Sequence, residues 1–239
     1  MSEDVRTKLQ ALSSGQSMRK RQSPKRKKST PKERVQKPKV EIQDVSHETE
    51  SVEEHANVLF KPNEGPQTEF LAASEREVLY GGSAGGGKSY AMLADPLRYM
   101  GHPQFSGLLL RHTTEELREL IFKSQELYPK IWPGIKWSER KMQWTAPSGA
   151  RLWMSYLDRD EDVLRYQGLA FSWIGFDELT QWATPYAWNY MRSRLRSTAT
   201  DLPIFMRATT NPGGRGHHWV KKMFIDPSPY NRSFDATDI

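Results

Sequence analysis

From Phe60 onward, short apolar runs alternate with stretches of helical period. Glu77-Val78-Leu79-Tyr80 is a short apolar run that passes straight into a glycine-rich turn, which predicts a strand and then a loop. Ser89 onward reads as a helix, kinked or ended near Pro96 because proline lacks the donor that a helix interior needs. Gly107-Leu108-Leu109-Leu110 predicts a second buried strand. Thr113 or Thr114 caps a helix through Leu127, with Glu115 and Glu116 in the first turn, where acids complement the helix dipole. Residues 142–146 and 150–154, separated by Pro147-Ser148-Gly149, predict a β-hairpin of two Trp-bearing strands. Residues 171–176 form another buried strand that ends in Asp177. Residues 185–195 read as a helix with proline in its first turn. Residues 204–209 read as a strand before the turn Asn211-Pro212-Gly213-Gly214. Strands alternating with helices predict an α/β fold: a mostly parallel sheet flanked by helices, with the hairpin as an insertion. The chain shows no internal repeat.

The pattern is different before Phe60. Residues 1–58 contain no aromatic residue and are rich in Lys, Arg, Ser, Gln, Glu and Pro. Such a segment buries too little apolar surface to offset the entropy of ordering, so a disordered tail is expected over 1–58 and a folded domain over 59–239. Charge sharpens this boundary. Residues 1–40 hold thirteen Lys/Arg against three acids, and residues 41–60 hold six acids and no Lys/Arg. The remainder is nearly balanced, so the net charge of +6 belongs mostly to the tail and not to a basic face of the fold. The clusters Arg19-Lys20-Arg21 and Lys25-Arg26-Lys27-Lys28 either contact DNA phosphates or form a solvated tail.

Composition removes several alternatives. The 239 residues suffice for one good-sized domain plus extras. With no cysteine, disulfides and cysteine-based zinc sites are excluded. No run of about 18 apolar residues predicts a membrane span, and the N-terminal charges are not followed by the apolar region of a secretory signal.

Gly82-Ser83-Ala84-Gly85-Gly86-Gly87-Lys88-Ser89 matches the G-x-x-x-x-G-K-[ST] pattern in full, between a predicted strand and a predicted helix. Each residue type has a task at a triphosphate. The glycines let the backbone curl so that its N–H groups point at the phosphates, and the helix N-terminus adds its positive end. Lys88 places a compact charge near the β- and γ-phosphates, and Ser89 offers a hydroxyl to Mg²⁺. ATP and Mg²⁺ are therefore the expected ligands.

Asp177 and Glu178 follow an apolar strand, 89 residues beyond Lys88, at the strand end where ligands bind in open α/β sheets. Asp177 is the expected Mg²⁺ ligand, through water, and Glu178 the general base for the attacking water. A water-activating acid separates hydrolysing machines from small-molecule kinases, so the expected fold class is a P-loop NTPase of the ASCE type. In a parallel sheet Thr209, Thr210 and Asn211 would face the γ-phosphate, and they either sense it by hydrogen bonding or, as a Thr-Thr-Asn-Pro run alone suggests, simply begin an ordinary loop.

Taken in order, Gly65-Pro66-Gln67, the block from Tyr80 to Ser89, Tyr166-Gln167-Gly168, Phe176-Asp177-Glu178-Leu179 and Thr209-Thr210-Asn211-Pro212-Gly213 resemble the large terminase subunit of tailed phages, the motor that pumps DNA into a procapsid. The resemblance covers about residues 60–230. It implies that Gln67 reads the adenine edge and that Thr210 and Asn211 lie in the motif coupling hydrolysis to DNA movement. It also implies double-stranded DNA, the portal protein and the small terminase subunit as partners, in the host cell cytoplasm. It implies a homo-oligomeric ring as well, in which a neighbour's arginine completes each site. Arg165 is the first candidate for that arginine, with Arg111 and Arg194 as rivals. Family members usually carry a C-terminal RNase H-like nuclease. That domain needs on the order of 100 or more residues, more than follow the coupling motif, so DNA cleavage is not expected of these residues.

Other features have two readings each. His217-His218 suggests a metal, but adjacent histidines without a third ligand favour a loop leading into a helix over 219–224. The eight Trp, all between Trp132 and Trp219, either stack on bases or fill the core. Arg192, Arg194 and Arg196 either line a DNA path or form a solvated helix face. Two other functions share these residues: a helicase- or recombinase-like ATPase acting without a capsid, and a non-hydrolysing, nucleotide-bound assembly module.

Overall fold

The structure is a computed structural model that describes residues 60–83 and 85–227. The expected tail over 1–58 and Ala84 lie outside the described residues.

Among the described residues the sheet has seven strands, in the order β1, β7, β6, β2, β5, β4, β3. These are β1 (Glu77–Gly81), β2 (Ser106–Arg111), β3 (Lys136–Ser138), β4 (Gln143–Thr145), β5 (Arg151–Tyr156), β6 (Trp173–Phe176) and β7 (Phe205–Thr210). From β1 to β5 every neighbouring pair is parallel; β4 and β3 continue the sheet antiparallel. The expected hairpin, β4 and β5, is thus continuous with the main sheet, and β3 forms the edge beyond it. Its strand β5 bonds to β2 along six residues, so burying Leu152 and Met154 requires the hairpin to lie in the sheet plane.

The central strands carry apolar residues on both faces, as a sheet covered by helices on both sides demands. Along β2, Leu109 joins one core while Leu108 and Leu110 join the other; along β6, Trp173 parts in the same way from Ile174 and Phe176. The first core is closed by α2 (Lys88–Ala94) and α3 (Thr114–Ile131) through Met92, Leu93, Leu117, Leu120 and Tyr128. The second is closed by α4 (Tyr186–Arg192) and α5 (His217–Phe224) through Trp188, Met191 and Val220. Gly175 leaves room that a Cβ would lose, since Trp173 and Met92 press against that point.

The helix α3 begins as expected, with Thr113 Oγ1 accepting from Glu116 N at 3.3 Å. It runs four residues past Leu127, with Pro129 inside it. Packing holds that last turn: the Tyr128 hydroxyl donates to Leu93 O at 2.9 Å and Trp132 Nε1 to Leu97 O at 3.1 Å. A short helix α1 (Pro66–Ala72), not predicted from the sequence, precedes β1. Trp144, Trp173, Trp182 and Trp188 are buried and the other four tryptophans half-buried, so the fold absorbs these rings as core.

Candidate nucleotide site

The strand order sets the site. Because β7 lies between β1 and β6, three parallel strands deliver the Gly82–Ser83 turn, Thr210-Asn211 and Asp177-Glu178 side by side at one sheet edge. Gly85, Gly86, Gly87, Lys88, Ser89, Tyr90, Lys123, Glu178 and Asn211 wall a single cavity of about 330 Å³.

The loop is held from beneath. Gly87 adopts φ 71° as the cap of α2, and a Cβ there would meet Gln67 Nε2 at 2.6 Å, so only glycine serves. Gln67 is buried, donating to Gly87 O at 2.9 Å and accepting from Asn63 N at 2.6 Å. The Tyr80 hydroxyl donates to Gly86 O at 2.6 Å. Lys88 is folded back on the loop, donating to Ser83 O at 2.6 Å and Gly82 O at 3.1 Å.

The acidic wall is made by two neighbours with different surroundings. Asp177 is wholly buried and does not line the cavity. It accepts from the Thr209 hydroxyl, and its Oδ2 lies 3.2 Å from Arg111 Nε. Burial pushes its carboxyl up from the ordinary value, while Arg111, the Thr209 hydrogen bond, Lys123 and Lys88 pull it back. Glu178 is half-buried, with its backbone in the left-handed region at φ 61°. Asn211 donates to it twice, from N to Oε2 at 3.1 Å and from Nδ2 to Oε1 at 2.7 Å. Burial and then the Asp177 charge raise the Glu178 carboxyl, against the Asn211 backbone donor, Arg111 and Lys88.

Thr210 stands outside the cavity wall. Its hydroxyl pairs with Thr180 Oγ1 at 2.8 Å, and Thr180 O accepts from Gly216 N at 2.7 Å, the residue that caps α5. A bonded path thus leads from the end of β7 to that helix.

The three arginine candidates part company. Arg111 is buried against Asp177 and belongs to its own chain's site. Arg165 is away from the cavity: it donates to Tyr156 O at 2.9 Å, pairs with Asp162 and stacks 5.4 Å from the Tyr156 ring centre. Arg194 stacks 5.5 Å from the Tyr190 ring centre. Arg192 is engaged by Glu77 at 2.6 Å. His217 Nδ1 accepts from Gly213 N at 3.2 Å, a turn contact. Lys123 and Tyr90 in the cavity wall carry no motif in the sequence, and Tyr80, which ends the first strand there, has no role assigned to its hydroxyl. Lys123 reads there as half of an ordinary i,i+4 helix pair with Glu119, and no signal in the sequence separates it from one.

A family model described as "Terminase large subunit, T4likevirus-type, N-terminal" matches residues 79–235. Among solved structures, the large terminase from a thermophilic bacteriophage is 18% identical with a TM-score of 0.55, over 70% of this chain and 43% of its own. The same protein in complex with ADP gives 18% and 0.53, over 67% of this chain and 41% of its own. The Thermus phage P74-26 large terminase ATPase domain is 13% identical with a TM-score of 0.50, over 72% of this chain and 74% of its own. At these identities the likeness shows the fold. The chain spans less than half the length of the first of these large terminases. No curated protein matches the sequence.

Proposed function

Because the chain belongs, by its residues 79–235, to the family of N-terminal regions of T4-like-virus-type terminase large subunits, we propose that it is the ATP-hydrolysing motor domain that drives double-stranded DNA into a procapsid. The observation that carries this reading is the convergence of the loop, Glu178 and Asn211 on one cavity, with the Glu178 carboxylate gripped by Asn211.

In the proposed reaction the loop N–H groups and Lys88 hold the β- and γ-phosphates, and Lys88 exchanges the carbonyls of Gly82 and Ser83 for phosphate oxygens. Ser89 and, through water, Asp177 would hold Mg²⁺. Their donor set is all oxygen, as that ion prefers, and Asp177 Oδ2 has only the Arg111 ion pair at 3.2 Å, with no hydrogen bond of good geometry. When bound, the ion neutralises charge on the phosphates. Glu178 accepts a proton from the attacking water. The water oxygen bonds to the γ-phosphorus as the bond to the bridging oxygen breaks, and that electron pair leaves on ADP. Asn211 holds Glu178 in place before the phosphate arrives and reports its arrival along Thr210, Thr180 and Gly216 to α5. Gln67 steadies the loop, and it reads the adenine edge only by exchanging its bond to Asn63 or Gly87 for one to the base. DNA, the portal protein, the small terminase subunit and a ring in which Arg165 serves the neighbouring site complete the proposal.

Steady-state hydrolysis with Mg²⁺ tests it. Glu178→Gln is expected to lower turnover by about two to four orders of magnitude with ATP binding retained, and Lys88→Ala to lose binding as well. Wild-type turnover no faster than that of Glu178→Gln would sink the hydrolytic reading in favour of a nucleotide-bound assembly module.

A further inference from the structure

Resting on that reading, we infer that Lys123 is a second phosphate-contacting cation of the site, supplied by the same chain and acting on the charge that develops during hydrolysis. Lys123 belongs to the cavity wall together with the phosphate loop, Glu178 and Asn211. It comes from α3, an element remote in sequence from all of them. The stripe of α3 that carries Lys123 also carries Glu116, two turns earlier, and Glu116 accepts from Gln181 Nε2 at 2.6 Å, three residues beyond Glu178. The helix is thereby registered against the acidic wall.

Lys123 is parked but not committed. Its Nζ donates to Glu119 Oε1 at 2.5 Å and lies 5.9 Å from the ring centre of Tyr90, two residues past Lys88. The Glu119 side chain is 63% exposed, and an exposed i,i+4 pair is weak and screened by salt. A polyphosphate in the cavity offers several anionic oxygens in a less hydrated setting, so the ammonium exchanges one exposed carboxylate for a stronger partner. Tyr90 gives the stem a surface to pivot on. Lys88 comes from the loop's own helix and Lys123 from across the cavity, so the two cations approach the phosphates from different elements. A donor placed where charge develops stabilises the transition state more than the bound substrate.

The test uses the full chain and three variants, Lys123→Ala, Lys123→Arg and Lys88→Ala, with two readouts. One is affinity for ADP alone and for ADP with Mg²⁺ and aluminium fluoride, which mimics the transferring phosphoryl group. The other is kcat. Lys123→Ala is expected to leave ADP affinity within about threefold, to lose about tenfold or more of the preference for the fluoride complex, and to lower kcat by about 10- to 1,000-fold. Lys123→Arg is expected to restore part of both. Wild-type preference and turnover in Lys123→Ala would overturn the inference and leave the ATPase reading standing. Equal losses for ADP and the fluoride complex would also overturn it, since Lys123 would then serve ground-state binding alone. Failure of the wild type to bind any nucleotide, as expected only of Lys88→Ala, would overturn both.

Discussion

Glu178 holds a left-handed backbone that costs an ordinary residue roughly 1–2 kcal/mol. Its surroundings offset this: Glu178 N donates to Thr209 Oγ1 at 3.1 Å, and the carboxylate takes both Asn211 donors. The twist turns the side chain away from the buried position of Asp177 and into the cavity. The two adjacent acids thus have different surroundings, one buried and one facing the cavity, which suits the separate tasks proposed for them. Burial and Asp177 raise the Glu178 carboxyl, so it keeps its proton to a higher pH than an ordinary glutamate. Only the deprotonated form accepts a proton from water, so activity falls as pH drops through that raised value. At saturating ATP, the acid limb of kcat is expected above the ordinary glutamate range, near pH 4.3. Asn211→Ala, which removes one donor to the carboxylate, is expected to move the limb further up. A limb at the ordinary value, unmoved by Asn211→Ala, would show that another group limits the rate.

Within the elements, a buried charge cluster ties the parts of the site together. Arg207 stands in the middle of β7 with no exposed surface. It donates to Glu75 O at 2.7 Å and Ala73 O at 2.8 Å, lies 4.2 Å from the Phe205 ring centre, and approaches Asp95 Oδ2 at 3.5 Å. Asp95, directly after α2, also accepts from Trp173 Nε1 of β6 at 2.7 Å and pairs with Arg98. The helix behind the glycine-rich loop, the strand before Asp177, the strand before Asn211 and the segment entering β1 therefore meet at the Asp95–Arg207 pair, the last through the Ala73 and Glu75 carbonyls on Arg207. Asp95→Ala strands a buried guanidinium, and urea denaturation is expected to show a loss of about 3–5 kcal/mol. A loss below about 1 kcal/mol would mean that the backbone carbonyls alone satisfy Arg207. Little of this is visible in the sequence: an arginine inside Ile204-Phe205-Met206-Arg207-Ala208 breaks a buried-strand pattern, and only the fold places Asp95 opposite it.

In the molecule as a whole, Arg165 and the cavity lie apart, which makes the proposed ring testable by mixing. Arg165→Ala and Glu178→Gln are each expected to be inactive on assembled portals. A mixture of the two should recover part of the hydrolysis, because an Arg165→Ala subunit keeps an intact Glu178 and receives a neighbour's arginine. A mixture no better than its components would place the role of Arg165 within its own chain. Stimulation by portal and procapsid, beyond that by DNA alone, is expected of a packaging motor and not of a helicase-like ATPase. The glycine-rich loop and the Asp177-Glu178 pair were legible in the sequence because each is a contiguous run that the fold keeps together beside one cavity. Strand and helix type were legible because apolar period reports local burial. Three things waited for the tertiary structure: the position of β7 between β1 and β6, the joining of the hairpin to the main sheet, and the arrival of Lys123 and Arg111 at the site. Each is a contact between residues far apart in the chain, set by which faces bury together. A one-dimensional pattern records that a face is apolar and leaves open what covers it.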